Sequence, residues 1–203
     1  MPVKTNREYR AILMPLTIGG NEKRFNSDYY VEGYATTFDK PYTLWEYDGT
    51  KYFEIIDRHA LDSADMTDVI MQYDHSGKVL ARQSNKTLGL ELNNNGFFIF
   101  ADLSKSSAAK DMYEEISNGL VTKMSWAFTV AEDAYDRDTH TRKILKVKKV
   151  YDVSAVSIPA NADTEISARS WIDGVIESEK REALERQKEF ELRKRKILII
   201  GGK

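Results

Sequence analysis

The sequence predicts a mainly β domain with helices, an α+β fold, followed by a charged helical tail. Residues 67–75 and 122–130 alternate between apolar and polar side chains with the period of a β-strand. Residues 87–92 and 97–103 flank an Asn-Asn-Asn-Gly turn, the clearest hairpin signal in the chain. After Ala168 the composition changes to a long run dominated by charged residues. We therefore expect two domains, residues 1–168 and 169–203.

The first half of the chain is predicted to consist of strands joined by turns. Residues 29–38 are rich in aromatic and β-branched side chains, which favour a strand. Residues 39–52 contain Pro41 and Gly49 and indicate a loop or an irregular hairpin. Residues 53–63 are expected to end a strand and open a short helix.

The second half is predicted to begin with a helix over residues 105–118, which ends at Gly119. Its apolar stripe consists of Ala108, Ala109, Met112 and Ile116. A polar loop over residues 132–141 then separates the strand at 122–130 from a long strand at 142–158. Because open antiparallel sheets leave exposed edges, a small closed antiparallel barrel is the arrangement we expect.

Composition excludes several classes of protein. The 203 residues carry a formal net charge of −2 with acids and bases well mixed, so no nucleic-acid partner is indicated. The absence of cysteine excludes disulfides, zinc–cysteine sites and thiol nucleophiles. No long apolar run and no signal-peptide pattern occurs, so a soluble cytoplasmic protein without a membrane partner is expected.

Three residues predict a nucleophilic site. His75 lies at the end of one alternating segment, and Ser125 lies on the polar face of the other. Asp152 shares its strand parity with apolar residues, so its carboxylate needs a compensating partner. Composition and spacing permit a Ser–His–Asp triad. They leave open a structural role for His75 and an ion pair of Asp152 with Lys148 or Lys149.

The other two histidines have competing interpretations. His140 lies near Asp136 and Asp138, which permits a metal site, although a solvated hairpin tip is the simpler interpretation. His59 is interpreted as a structural residue. No metal or cofactor is expected. The chain has no G-x-S-x-G sequence, so an α/β-hydrolase is not supported.

From residue 29 to about residue 168 the sequence resembles the prohead proteases of tailed phages related to phage HK97. Four sequence blocks carry the resemblance, and they occur in the right order and spacing. The first is a glycine-containing strand with a following E-x-I segment, and the second is a run ending in Asp-His. The third is a serine in a small-aromatic strand, and the fourth is an acid-Val-Ser strand closing in Pro-Ala-Asn. In this chain they are Val31–Ala35 with Glu54–Ile56, Asp68–His75, Asn118–Phe128 and Asp152–Asn161. The family commonly has glutamate where this chain has Asp152.

The resemblance implies a fold similar to that of herpesvirus assembly proteases, a β-barrel ringed by helices. It implies that Ser125 is the nucleophile, that His75 is its general base and that Asp152 orients the imidazole. By analogy, the backbone amides of Ala160 and Asn161 would bind the oxyanion.

The resemblance also implies partners. The expected substrates are the major capsid protein with its scaffolding segment and the protease itself, cut inside the assembling prohead in the host bacterial cytoplasm. A homo-oligomer is expected, and the tail is expected to tether the protease to the shell. The alternative is a non-catalytic capsid-assembly scaffolding protein that retains the barrel; a β-barrel module for nucleic acid ranks last, because the barrel region is not basic.

Overall fold

The computed structural model describes residues 7–19, 23–157 and 162–200 of the chain, and these residues form eleven strands and two helices. The chain divides into two compact units, residues 1–167 and 168–203. The first unit is mainly β, so the predicted α+β class is confirmed. The division into a protease domain and a tail after Ala168 stays a prediction.

Most of the strands are short, and the two longest come near the end of the first unit. The elements are β1 (Arg7–Pro15), β2 (Thr17–Ile18), β3 (Tyr30–Thr37), β4 (Tyr42–Tyr47), β5 (Thr50–Ile56), β6 (Ile70–Tyr73), β7 (Val79–Arg82), β8 (Leu88–Asn93), β9 (Gly96–Asp102), α1 (Ser107–Ser117), β10 (Lys123–Asp136), β11 (Thr141–Val156) and α2 (Ala162–Ile200).

The strands form two sheets. One sheet has the order β1-β10-β11-β5-β4, with β6 pairing further along β11 and β7 pairing β6; the other has the order β2-β3-β9-β8. Most pairings are antiparallel as predicted, but β11 pairs parallel with both β5 and β6. Neither sheet closes on itself through the pairings of the described residues, so the barrel stays a prediction.

A single buried apolar cluster joins the two sheets. Trp126 and Phe128 of β10 stack with ring centroids 3.9 Å apart, and Phe97 of β9 meets Trp126 edge-on at 6.0 Å. Met124, Trp126 and Phe128 are fully buried, which confirms the predicted inward face of β10. Burial of such large aromatic side chains is typically the largest favourable term in a core of this size.

The predicted internal helix is confirmed as α1, one to two residues shorter at each end. The Ser106 hydroxyl caps it by accepting the N–H of Ala109 at 3.2 Å. Gly119 follows with φ +73°, a left-handed conformation that glycine adopts without steric strain. Three of the four predicted stripe residues, Ala109, Met112 and Ile116, are buried.

Two predictions about loops were wrong. Residues 57–64 form successive turns and no helix, because the Asp57 carboxylate accepts the N–H of His59 at 2.9 Å and closes a turn. Residues 132–136 continue β10, and the chain reverses just before Thr141. The paired ends of β10 and β11 form a mostly exposed ribbon there, so polar side chains do not prevent strand pairing. In the undecided segment 39–52, the structure contains the β4–β5 hairpin.

A buried ionic cluster holds β1 against β5 and β11. It consists of Glu8, Arg10, Glu54 and Arg142. Arg10 Nε donates to Glu54 Oε1 at 2.6 Å, and Arg142 Nη1 donates to Glu8 Oε2 at 2.7 Å and to Glu54 Oε2 at 3.2 Å. The Tyr42 hydroxyl also donates to Glu54. Burial raises the pKa of Glu8, but Arg10 and Arg142 outweigh it, so the net effect is a pKa below the ordinary value.

Helix α2 confirms the helix predicted over residues 169–196 and extends beyond it at both ends. Its residues 177–195 are largely exposed, including Leu184, Phe190 and Leu192. Neither helix, within the described part of the chain, combines the length and the apolar character that crossing a bilayer requires.

Candidate active site

Ser125 lies in the middle of the seven-stranded sheet. Its strand β10 is flanked by β1, where Ala11 is the paired residue, and by β11, where Ser154 is the paired residue. Because successive side chains alternate across a strand, Ser125 points away from the core face that carries Met124 and Trp126. The residue is nevertheless only 1% exposed. The surrounding chain therefore covers the hydroxyl and fixes its position.

His75 lies in a turn that folds back over β11. Strand β6 runs parallel to β11 and ends at Tyr73, after which Asp74 and His75 both adopt positive φ angles of 43° and 58°. The Asp74 carboxylate holds this turn by accepting the N–H of Ser157 at 3.1 Å and its hydroxyl at 2.9 Å. Left-handed conformations of non-glycine residues are uncommon and tend to cluster at functional sites. The turn thus sets the imidazole above the sheet.

The structure brings the three predicted site residues together. His75 Nε2 lies 2.6 Å from Ser125 Oγ, and His75 Nδ1 lies 2.6 Å from Asp152 Oδ1. The side chains of His75 and Asp152 are each 2% exposed. A proton on Nδ1 donates to the carboxylate and leaves the Nε2 lone pair to accept the Ser125 hydroxyl. The three groups therefore have the order and contacts of a nucleophile, a base and an orienting acid.

Ser154 extends this series by one hydroxyl. Its Oγ donates to Asp152 Oδ1 at 2.9 Å and accepts the backbone N–H of His75 at 3.3 Å. No supporting role for Ser154 was predicted from the sequence. Its position two residues after Asp152 on one strand, and hence on the same face, was the signal for a supporting role. The side chain fixes both the carboxylate and the turn that carries the imidazole.

The N-terminal strand adds a second support that sequence reasoning missed. The ring of Tyr9 on β1 packs edge-on against His75 with ring centroids 4.7 Å apart. Tyr9 pairs with Ala127, which in turn pairs with Asp152 across the sheet. The imidazole is thus confined by an aromatic ring on one strand and a carboxylate on another.

A groove of about 610 Å³ leads to the acid and the base. Its lining includes His75, Asp152, Tyr151, Gln72 and Arg7. Aromatic, amide and charged side chains around an open cleft are typical of a surface that binds a polar, extended ligand. A peptide segment in this groove would lie directly beside the imidazole.

The other two histidines lie away from this site. Ala160 and Asn161 are outside the described residues. His140 lies in the turn of the β10–β11 ribbon with Nδ1 3.1 Å from the Tyr135 hydroxyl, and its ring packs 5.2 Å from that of Tyr52. His59 is exposed and its Nδ1 contacts Asp62 at 2.9 Å, so its structural interpretation is supported. Within the described residues, no group of three or more potential metal ligands is found.

Asp152 pairs with His75 and Ser154, and neither Lys148 nor Lys149 is its partner. Lys149 instead binds Asp65 at 2.7 Å. The carboxylate therefore obtains its compensation from hydrogen-bond donors that belong to the site.

The contacts among Ser125, His75 and Asp152 match an arrangement found in serine hydrolases, and comparison with known families gives the class of the chain. A family model described as caudovirus prohead serine protease matches residues 18–176, a range that contains His75, Ser125 and Asp152. The chain belongs to this family, whose description is that of a serine peptidase acting in phage capsid maturation. No curated protein and no solved structure matches the chain.

Proposed function

We propose that this chain is an endopeptidase that cleaves segments of the major capsid protein and its scaffold, and also itself, during head maturation. The observation that carries the proposal is the series Asp152–His75–Ser125, in which both contacts measure 2.6 Å. Family membership supports the reaction class and the capsid setting. The roles of the three residues, the substrates and the closed barrel belong to the proposal.

In the proposed reaction, Ser125 Oγ attacks the scissile carbonyl carbon while His75 Nε2 takes the hydroxyl proton. Asp152 stabilises the resulting imidazolium through Nδ1. The tetrahedral intermediate collapses when His75 gives its proton to the leaving amine, which leaves an acyl ester on Ser125. Water then attacks the ester, and His75 takes the water proton and returns it to Ser125 Oγ.

The oxyanion requires hydrogen-bond donors that the three side chains do not supply. We assign them, by resemblance, to the backbone amides of Ala160 and Asn161, which come four and five residues after the end of β11 in the sequence. Donors aimed at the developing charge contribute typically a few kcal/mol to such transition states.

Several further features belong to the same proposal. The enzyme would work inside the assembling prohead, as a homo-oligomer, with residues 169–203 as a tether that is dispensable for chemistry. Because Ser125 is 1% exposed, we infer that the residues covering it move when substrate binds. Activity is therefore best tested with the natural substrate and not with short peptides alone.

The test is co-expression of the chain with its phage's major capsid protein, followed by intact mass measurement of the capsid protein. Wild type should produce specific trimming near the N-terminus, and Ser125→Ala should abolish it. Ser63→Ala is the matched control, because Ser63 is exposed and lies outside the site. Trimming that persists in Ser125→Ala would refute the assigned nucleophile. No trimming by wild type, even in assembled proheads, would favour a scaffolding protein.

A further inference from the structure

Within the described part of the chain, one arginine in the groove next to the base has no acidic partner. Arg7 begins β1 and pairs with Thr129 of β10, which pairs with Lys149 of β11. The register of β1 against β10 is regular from Arg7 to Ile12, so Arg7 points to the same side of the sheet as Tyr9 and Ala11. Arg7 therefore lies on the face of the sheet that carries Ser125.

The other charged groups that line the groove have polar partners of their own. Lys149 binds Asp65 at 2.7 Å, and Asp152 is bonded to His75. Asp68 is bound by Arg82, and hydrogen bonds from Arg82 and Ser84 lower the pKa of Asp68 to about 2. Within the described residues, none of these carboxylates contacts Arg7.

Arg7 itself rests on an aromatic ring. Its guanidinium lies 3.9 Å from the ring centroid of Tyr151, a cation–π contact that orients the group without using its N–H donors. Its buried Nε has no hydrogen-bond partner among the residues that the structure describes. Thr129 Oγ1, directly opposite on β10, also lacks a partner within the described chain. Two unsatisfied polar groups thus share one row of the sheet.

The hydrogen-bond donors of Arg7 and Thr129, which form this row, suit an anion with oxygen acceptors. A guanidinium offers several N–H donors in a plane that matches a carboxylate, and a neighbouring hydroxyl can donate one more bond. The row lies four strand positions from Ala11 and Ser125, which corresponds to about 13 Å along the sheet. An extended substrate segment spans this distance with three or four residues.

We propose that Arg7, with Thr129 beside it, forms a subsite for an aspartate or glutamate side chain three or four residues from the scissile bond of the substrate. This inference rests on the proposed function. Arg7 would hold the segment so that its scissile carbonyl reaches Ser125. The subsite would thereby determine which segments of the capsid protein are cut.

The test uses the co-expression system with the full chain. The cleavage site in the capsid protein is first mapped by mass spectrometry, and an acidic residue is expected three or four positions away. Arg7→Gln should slow trimming about 10- to 100-fold, the effect of losing a charge-assisted contact. Arg58→Gln, a change at an exposed arginine paired with Asp39, should leave the rate unchanged.

The decisive experiment exchanges the two charges between the protease and its substrate. Arg7→Glu should block trimming of the natural capsid protein, and replacing the substrate acid by lysine should restore it. An unchanged rate in Arg7→Gln, no acid at the expected distance, or no restoration by the exchanged pair would overturn the subsite while leaving the protease intact. If wild type shows no Ser125-dependent trimming, the proposed function fails and the subsite with it.

Discussion

The paired strands β1 and β10 have a set of buried polar side chains on each face of the sheet. The two sets differ in how their ion pairs and hydrogen bonds are connected. On one face the ionic cluster of Glu8, Arg10, Glu54 and Arg142 is closed, since each charge contacts at least one opposite charge. On the other face the hydrogen bonds run in a line from Ser154 through Asp152 and His75 to Ser125. Within the described residues, the Ser125 hydroxyl has no partner beyond the imidazole.

The difference shows that burial alone does not distinguish side chains that stabilise the fold from side chains that can react. Both groups are almost completely shielded from water, and both depend on residues far apart in the sequence. Every charge of the closed cluster is already matched, whereas the line ends at a hydroxyl whose proton the neighbouring imidazole can accept. Mutations in the first group should therefore act on stability, and mutations in the second on rate.

The largest effect is expected from Asp152→Asn. The amide keeps the size of the side chain but favours the wrong imidazole tautomer, so kcat should fall about ten-thousand-fold. The free energy of unfolding should change much less. Capsid trimming and urea unfolding measure the two effects, with the exposed Asp62→Asn as control. If the free energy of unfolding fell by as much as the activation free energy rose, the distinction between a stabilising face and a reactive face would be wrong.

The second effect is expected from Glu54→Gln on the opposite face. Glu54 is fully buried and binds Arg10 and Arg142, so neutralising it leaves two buried cations short of a partner. We expect a loss of about 3–5 kcal/mol in the free energy of unfolding. Glu46→Gln on the neighbouring strand β4 is exposed and should change stability by less than about 0.5 kcal/mol. Equal stability of both variants would contradict the structural role of the cluster.

A smaller effect is expected from Ser154→Ala, which removes the first hydroxyl of the line. Asp152 and the turn at His75 lose one hydrogen bond each, and a loss of about 1 kcal/mol in transition-state stabilisation is equivalent to about fivefold in rate. Because Ser154 acts through other groups, kcat should fall while KM stays constant. A rise in KM with unchanged kcat would show that Ser154 shapes the groove and does not position the acid. Ser63→Ala again serves as control.

The smallest effect concerns pH. The pKa of Glu8 is lower in the folded chain than its ordinary value of 4.5, since Arg10 and Arg142 outweigh the effect of burial. Its contribution is thus present above pH 4.5 and is lost as the pH falls through the lowered pKa. We expect Glu8→Gln to lose about 1 kcal/mol at pH 7 and to match wild type more closely near pH 3. Urea unfolding at both pH values tests this; a constant difference would contradict it.

The scarcity of histidine and the acid on an apolar strand face permitted a triad of His75, Ser125 and Asp152, and the resemblance to a known family assigned it. The contact of Tyr9 with the imidazole and the place of Arg7 in the groove were not predicted, because the residues of β1 carry no motif and their position depends on pairing with β10. The extension of β10 into an exposed ribbon was missed for a related reason, since strand pairing there does not need an apolar face.

The pairing of β1 with β10 also has a consequence for the order of events during synthesis. Ala11 leaves the ribosome before its partner Ser125, which lies more than a hundred residues later, and Asp152 is later still. Contacts of such long range form only after the intervening chain is available. The proposed nucleophile therefore cannot meet its base and acid on a short nascent chain. The proposed cleavage reaction can therefore begin only after most of the first unit has been synthesised.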